Sequence, residues 1–192
     1  MTAAGDNRPF EDLVDAARHG EHRAVAALWR DLHPRLVAYY RVAAPSEADD
    51  IASDVWIEIA RGIGRFRGDA DAFRRWAFTI ARRRLIDHQR RAHRRRTDPT
   101  PVETLAEVPA PDDPEALVVE ALTTETAVAL VRGLPPDQAD AVLLRVVAGL
   151  SAEDAAQVMG KRAGAVRVLQ HRGLRRLAEA LGEDPGEDPE GL

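Results

Sequence analysis

The chain has 192 residues, of which 45% are hydrophobic and only 5% aromatic, enough apolar material for one large or two small packed domains. It contains no Cys, which excludes disulfides, thiolate chemistry and Cys-based zinc sites. No apolar run approaches the roughly 20 residues of a membrane span, and the polar N-terminus is unlike a signal peptide, so we expect a cytoplasmic protein without membrane insertion.

The net charge of −5 conceals a strong segregation of charge along the chain. Residues 61–96 contain 13 Arg against three Asp, and residues 161–176 contain six cations and no acid. Residues 44–60, 97–115 and 177–192 carry acidic charge alone. Two compact basic blocks separated by an acidic spacer are typical of a protein that contacts a polyanion twice. For either block taken alone, a solvated helix face is the alternative.

Apolar residues recur with helical periodicity, and no segment alternates convincingly, so the sequence predicts an all-α fold. A first helix over Phe10–Arg18 should end at Gly20. A longer helix follows along an i, i+4 apolar ladder from Ala24 to Tyr40, and Pro34 inside it should kink it or split it in two.

Two further helices are expected before residue 96. Ser46 and Asp49 form a capping-box pattern at the start of a helix over about residues 47–62. A glycine-rich loop follows, and Asp69 or Asp71 should then cap a helix over about residues 72–95.

Five prolines between residues 97 and 114 predict a linker and a domain boundary. Beyond it we expect one helix ending at Gly133, another ending at Gly149, a short helix capped by Ser151 and Asp154, and a last helix over about 163–181. The two helical modules are thus joined by a Pro-rich flexible linker. The expected division is a disordered N-terminus (1–9), a helical domain (10–96), the linker (97–114), a helix-turn-helix domain (115–181) and a disordered acidic tail (182–192).

The segment 151–177 has the spacing of a helix-turn-helix: a short capped helix, Gly160, a tight basic turn and a longer basic helix. At about 100° per residue, the apolar side of the last helix faces the core of the module through Val166, Leu169, Gly173 and Leu177. Its outward arc combines guanidinium donors, which suit guanine edges and phosphates, with a valine that suits a thymine methyl. The candidate DNA ligands of the turn and arc are Arg162, Arg167, Val168, His171, Arg172 and Arg175. An ordinary helical hairpin with a solvated basic face is the alternative.

The helix over residues 72–96 has an aromatic first half and an arginine-dense second half. Aromatic rings beside arginines can stack on unpaired bases while the cations neutralise phosphates. We interpret Phe73, Trp76 and Phe78 as core residues rather than stacking platforms, and the arginines as phosphate ligands.

Three segments resemble parts of bacterial RNA polymerase sigma factors. The run ADDIASDVWIEIARGIGRF is similar to the helix and loop that engage the polymerase core. FRRWAFTIARRRLIDHQRRAHRRR resembles the next helix, which opens and reads the minus-ten promoter element. LPPDQADAVLLRVVAGLSAEDAAQVMG, continued by GAVRVLQHRGLRRL, resembles the helix-turn-helix that reads the minus-thirty-five element. A Pro-rich linker in place of a middle domain matches the extracytoplasmic-function (ECF) group of the sigma-70 family, and the resemblance covers residues 10–96 and 115–181.

The resemblance implies an alternative sigma factor whose partners are core RNA polymerase and promoter DNA, with an anti-sigma factor as a further potential partner. Asp50 and Asp54, one helical turn apart, would meet the basic clamp helices of the largest polymerase subunit. The loop 65–71 would capture a flipped minus-ten base. The minus-ten ligands implied by position are Arg65, Arg67, Arg75, Arg82, Arg83, Arg90 and Arg91.

The chain departs from the family pattern at two places that bear on promoter sequence. Arg83 stands where relatives usually carry Asn, and Val168, Leu169 and Gln170 replace a frequent Ser-Arg-Leu. The fold prediction is unaffected, and the promoter sequence is left open.

No catalytic or metal-binding pattern accompanies these features. The six His lie outside ligand spacing, and the glycines of GIGRFRG do not match a dinucleotide fingerprint, so we expect no enzyme activity and no cofactor. One rival interpretation is a free-standing helix-turn-helix transcriptional regulator, which leaves the acidic patch and the minus-ten-like helix unexplained. The other, an enzyme or RNA-modifying factor with a basic groove, lacks a catalytic constellation.

Overall fold

The structure is a computed structural model, which describes residues 8–95 and 125–181. Within these two ranges the chain is helical and forms no β-strand, which confirms the all-α prediction. The helices are α1 (Phe10–Arg18), α2 (His22–Arg41), α3 (Ala48–Gly62), α4 (Ala70–Arg95), α5 (Glu125–Arg132), α6 (Pro136–Val142), α7 (Ala152–Met159) and α8 (Ala163–Ala180). The predicted linker 97–114, the tail 182–192 and residues 1–7 of the predicted N-terminal segment lie outside the described residues.

Helices α1 to α4 form the N-terminal module around an apolar core. The leucine ladder of α2 and the aromatic start of α4 meet there, because each helix carries one continuous apolar face. Phe73 and Phe78 are fully buried, which confirms their interpretation as core residues. Trp76 is partly buried and stacks on Phe66, with ring centroids 5.3 Å apart. Between α2 and α4, the Tyr40 hydroxyl donates a hydrogen bond of 2.7 Å to the Ala81 carbonyl.

One local prediction in this module is wrong, and two that left alternatives open are narrowed. A 3-10 turn, Pro45–Glu47, precedes α3, which starts after Glu47 without a side-chain cap, so the Ser46–Asp49 capping box does not form. Pro34 does not split α2, which is continuous because burial of Leu32 and Leu36 on either side of it outweighs the lost hydrogen bond. Asp69, rather than Asp71, caps α4 by accepting the amide of Ala72 at 2.8 Å.

Helices α5 to α8 form the C-terminal module. α6 continues into a π-helical turn, Leu143–Val147, where the Ala148 amide donates to the Leu143 carbonyl at 2.9 Å. The sequence predicts a regular helix over this stretch. The Ser151 cap is confirmed: its hydroxyl accepts the Asp154 amide at 3.0 Å. α7 ends at Gly160, whose φ of +66° is a left-handed conformation that glycine adopts without strain.

The two modules pack against each other. α4 contacts α7, and buried apolar residues of both modules belong to one continuous cluster. Arg35 of α2 donates to the Val147 carbonyl at 3.1 Å, and Arg132 of α5 donates to the Val42 carbonyl at 2.9 Å. The sequence predicts a flexible linker between the modules and does not predict this contact. None of the helices in the described ranges has the length and apolarity that crossing a membrane would need.

Candidate nucleic-acid interface

The outward arc of α8 is exposed along its length. Val168 is 48% accessible, which is unusual for a large apolar side chain, and the four basic residues of the arc are also exposed. They are Arg167, His171, Arg172 and Arg175. Arg162 occupies the N-cap position of the same helix and is exposed too. The helix therefore presents a basic strip interrupted by one apolar contact, a surface suited to the edges of a duplex groove.

The opposite side of α8 is fixed by close packing on α6. Val166 is fully buried and Leu177 nearly so. At Gly173 the two helices approach so closely that a Cβ atom would lie 2.8 Å from Val142 Cγ2. The predicted inward face is confirmed, with Leu169 partly buried at its margin. This packing fixes the rotation of α8, and with it the direction of the exposed arc.

The π-helical turn contributes a contact that the sequence patterns do not reveal. Arg145, within that turn, donates from Nε to Gln170 Oε1 at 3.0 Å and from a terminal nitrogen to the Leu150 carbonyl. Arg145 thereby joins α6, the start of the helix-turn-helix and α8. No pattern of spacing or charge could have singled it out, because a π turn changes which side chains share a face.

Arg167 is held by an acid from the first helix of the motif. Its Nη2 lies 2.5 Å from Glu153 Oε1, and both side chains are more than half exposed. The pKa of Glu153 is lowered, first by a hydrogen bond from its own backbone amide and then by Arg167. An exposed pair of this kind is easily exchanged for another anion, so Arg167 stays available to a phosphate.

In the N-terminal module, the arginines assigned to the minus-ten element fall into three groups. Arg65, Arg67, Arg90 and Arg91 are exposed, and Arg67 donates to the Phe66 carbonyl at 2.7 Å, which shapes the loop before α4. Arg83 is exposed but paired. Arg75 and Arg82 are half-buried and point at the C-terminal module.

Glu58 of α3 binds two adjacent arginines of α4. It is paired with Arg83, and its Oε2 accepts Arg84 Nη2 at 2.9 Å. Burial alone would raise the pKa of Glu58, but the hydrogen bonds and charges of Arg84 and Arg83 outweigh it, and the pKa lies below its ordinary value. Sequence reasoning missed Glu58, although an acid near the end of a helix that is followed by an arginine cluster is the signal that could have found it.

Asp50 and Asp54 are both exposed on α3, one turn apart. Beside them, the apolar side chain of Ile57 is 44% accessible, a feature that charge patterning did not reveal. Asp54 and Ile57 lie at one edge of an open groove of about 450 Å³ between α3 and α4. An exposed apolar residue flanked by acids is a surface suited to a basic protein partner.

The capped helix pair with an exposed basic second helix defines a helix-turn-helix DNA-binding protein, and the acidic α3 with the basic α4 adds a second module. Sequence models described as Sigma-70 region 2 and Sigma-70, region 4 match residues 28–95 and 125–177. The ECF RNA polymerase sigma factor BldN of Streptomyces coelicolor is 35% identical over 184 residues, which are 95% of this chain and 69% of BldN. The ECF RNA polymerase sigma factor SigD of Mycobacterium tuberculosis is 33% identical over 94% of this chain and 87% of SigD. The chain therefore belongs to the ECF group of the sigma-70 family, which confirms the resemblance.

Solved structures share the fold. The sigma factor RpoE of Bartonella quintana, in complex with the anti-sigma factor NepR, matches with a TM-score of 0.65 at 24% identity, over 83% of this chain and 97% of that one. CnrH, in complex with the cytosolic domain of CnrY, matches with a TM-score of 0.60 at 20% identity, over 91% of this chain and 98% of that one.

Proposed function

We propose that this chain is an alternative sigma factor that binds core RNA polymerase, directs it to promoters and assists DNA opening at the start of transcription. The observation that carries the proposal is the exposed basic arc of α8, whose direction is fixed by the buried apolar face of the same helix. This helix lies in the segment that matches Sigma-70, region 4, and that segment follows the one that matches Sigma-70 region 2. A free-standing regulator is not favoured, since it would use only the C-terminal module.

The C-terminal module (115–181) would read the minus-thirty-five element. Residues at the N-terminal end of a recognition helix contact base edges, so Arg167 and Val168 are placed for readout. Arg162, Arg172 and Arg175 would bind flanking phosphates or guanine edges, and His171 lies between them. Their exposure supports this assignment.

The N-terminal module (10–96) would bind the minus-ten element and the polymerase. Four exposed arginines would contact the DNA: Arg65 and Arg67 in the loop before α4, and Arg90 and Arg91 near the end of α4. Asp50 and Asp54 would dock on a basic surface of the polymerase, and Ile57 would add an apolar contact at the same place.

Other parts of the proposal rest on the family alone. Polymerisation chemistry would belong to the polymerase, so this chain would act without catalysis of its own and in the cytoplasm, where the polymerase works. Because RpoE of Bartonella quintana was solved with an anti-sigma factor, we also propose that a protein of that kind could regulate this chain.

A run-off transcription assay with core RNA polymerase tests the function directly. Purified chain added to core should produce transcripts of defined length from a subset of promoters in a genomic template library, whereas core alone should not. A chain that binds DNA but never supports initiation would be a free-standing regulator, and the proposal would be wrong.

A further inference from the structure

Two arginines of α4 that are assigned to minus-ten DNA point at carboxylates of the C-terminal module. Arg75 Nη1 lies 2.5 Å from Asp154 Oδ1 at the start of α7, and Arg82 Nε donates to Asp140 Oδ2 of α6 at 2.9 Å. We propose that these two ion pairs hold the modules in a closed state, in which the helix-turn-helix module occupies the face of α4 that would otherwise bind phosphates. That α4 binds DNA rests on the proposed function, whereas the closed state is a property of the free chain.

Both pairs are partly shielded from solvent. The accessible fractions are 32% and 13% for Arg75 and Asp154, and 22% and 19% for Arg82 and Asp140. The Arg167–Glu153 pair on the DNA face is about 60% accessible at both ends. Exposed pairs contribute little, whereas removing one partner of a largely desolvated pair leaves an unpaired charge behind. The interface pairs are therefore the ones that can hold two modules together.

Asp154 connects closure to the helix-turn-helix itself. Its Oδ2 accepts the Ser151 hydroxyl at 2.7 Å, and its amide donates back to Ser151 Oγ at 3.0 Å, so this oxygen and the amide form the cap of α7. The other oxygen, Oδ1, is directed at Arg75. The first turn of the motif is therefore tied to α4 through a single carboxylate.

Asp140 receives contacts from two elements of the N-terminal module. Besides Arg82 of α4, the fully buried Tyr39 of α2 lies against it, and the pKa of Tyr39 is raised by burial and then by the charge of Asp140. Burial raises the pKa of Asp140 as well, and Arg82 only partly offsets that effect. With its hydrogen bond from Arg82 and its low exposure, the Asp140 carboxylate is part of the packed interface between the modules rather than a chance approach of surface charges.

Closure covers one basic surface and leaves the other accessible. The arc of α8 stays exposed in the packed molecule, while Arg75 and Arg82 have their hydrogen-bonding nitrogens directed at carboxylates. Phosphates and these carboxylates would use the same guanidinium groups. Polyanion binding by α4 through Arg75 and Arg82 therefore requires the modules to separate.

Energy transfer within the full chain measures closure. The sequence has no Cys, so Ser53→Cys on α3 and Gln157→Cys on α7, both exposed, provide two specific dye positions. High transfer is expected in the otherwise unchanged chain. Asp154→Arg places a cation against Arg75 and should reduce the closed population roughly tenfold. Adding Arg75→Asp to that variant should restore transfer.

The rescue separates closure from folding, because Arg75→Asp cannot rebuild the Ser151–Asp154 cap. Glu179→Arg is the matched control: it makes the same charge change in a pair internal to α8, and transfer should stay high. Random-sequence duplex DNA should lower transfer in the unchanged chain by competing for the arginines. If Asp154→Arg leaves transfer unchanged, or if the double variant fails to regain it, the closed state is refuted. Since no polymerase is present, these results stand apart from the run-off assay.

Discussion

Glu58 links α3 to α4 through its two arginine partners. A carboxylate that neutralises Arg83 and stabilises Arg84 limits the net positive charge of α4 next to the proposed docking surface. Its pKa is depressed, so the interaction stabilises the fold at pH values above the ordinary carboxyl range. As the pH falls through the lowered pKa of the folded state, Glu58 is protonated and that stabilisation is lost.

Glu58→Gln should therefore reduce the free energy of unfolding at neutral pH and have little effect in acid, where the native carboxyl is itself protonated. Denaturant titrations between about pH 3 and pH 7 would measure the difference from the unchanged chain. Glu179→Gln, at an exposed pair within one helix, is the control and should change stability little throughout. A pH-independent effect of Glu58→Gln would contradict this role of the charge.

Arg172→Ala should weaken binding of the C-terminal module to its minus-thirty-five element by about 1–3 kcal/mol if the guanidinium contacts a base edge. Arg176→Ala removes the same chemistry from a neighbouring exposed position closer to the apolar side of α8, and should have a smaller effect. Binding isotherms over a range of salt concentrations distinguish the roles. A loss that is equal on all sequences, with the salt slope reduced by about one, would make Arg172 a phosphate ligand.

Individual site residues were predictable where helical phase alone decides exposure. The outward arc of α8 and the exposure of Asp50 and Asp54 follow from positions about 100° apart on a helix with one apolar side. Pairing was not predictable, because it depends on the neighbouring helix: nothing local to Arg82 indicates that Asp140 will meet it. The roles of these residues in binding stay predictions.

At the scale of elements, the α6–α8 packing rests on the absence of a side chain at Gly173. Gly173→Ala would gain up to about 1 kcal/mol of helix propensity but would place a methyl group against buried Val142, where overpacking costs about 1–3 kcal/mol. We expect net destabilisation of about 1–2 kcal/mol in urea unfolding.

Gly164→Ala is the matched control in the same helix. A Cβ at Gly164 meets nothing within 4 Å, so the substitution should be neutral or stabilising by up to about 1 kcal/mol. Equal effects of the two substitutions would show that helix propensity, rather than the approach of α6, decides the behaviour of Gly173.

Helix boundaries followed from the sequence where a cap or a glycine is decisive, as at Gly20 and Gly160. They did not follow where two local signals compete. At Ser46, the preceding Pro45 directs a 3-10 turn and displaces the cap. The π turn at Leu143–Val147 cannot be recognised from the spacing of apolar residues. A π turn adds one residue to the helical turn, but most residues of this segment are apolar and buried, so the shift does not alter the pattern.

For the whole molecule, reversing the charge of Asp50 and Asp54 together to Lys should abolish binding to core RNA polymerase. The lysines would be repelled by the basic surface of the polymerase that the two aspartates are proposed to attract. Charges at the rim of an interface act mainly on the association rate, so that rate should fall most. Core binding measured by fluorescence anisotropy tests this, with DNA binding by the C-terminal module expected to remain. Reversal of Glu11 and Asp12, an exposed acidic pair on α1, is the control. Unchanged core affinity would remove Asp50 and Asp54 from the docking surface.

The arrangement of the two modules was the least predictable feature. A linker rich in Pro and acids indicates a boundary, but it carries no information about whether the modules on either side adhere. The contacts that join them are made by residues far apart in the chain. Several of these contacts, such as that of Arg35 with Val147, use backbone carbonyls, which have no sequence signature.

The packing of α4 on α7 also sets an order of events in time. A duplex that diffuses to the closed molecule meets the exposed arc of α8, and the contacts of Arg75 and Arg82 become available only after the modules part. Association should then show a fast phase whose rate rises with DNA concentration, followed by a slower phase whose rate reaches a ceiling. That ceiling is the rate at which the ion pairs of Asp154 and Asp140 open, so the closed fold would act as a timer between first contact and full engagement.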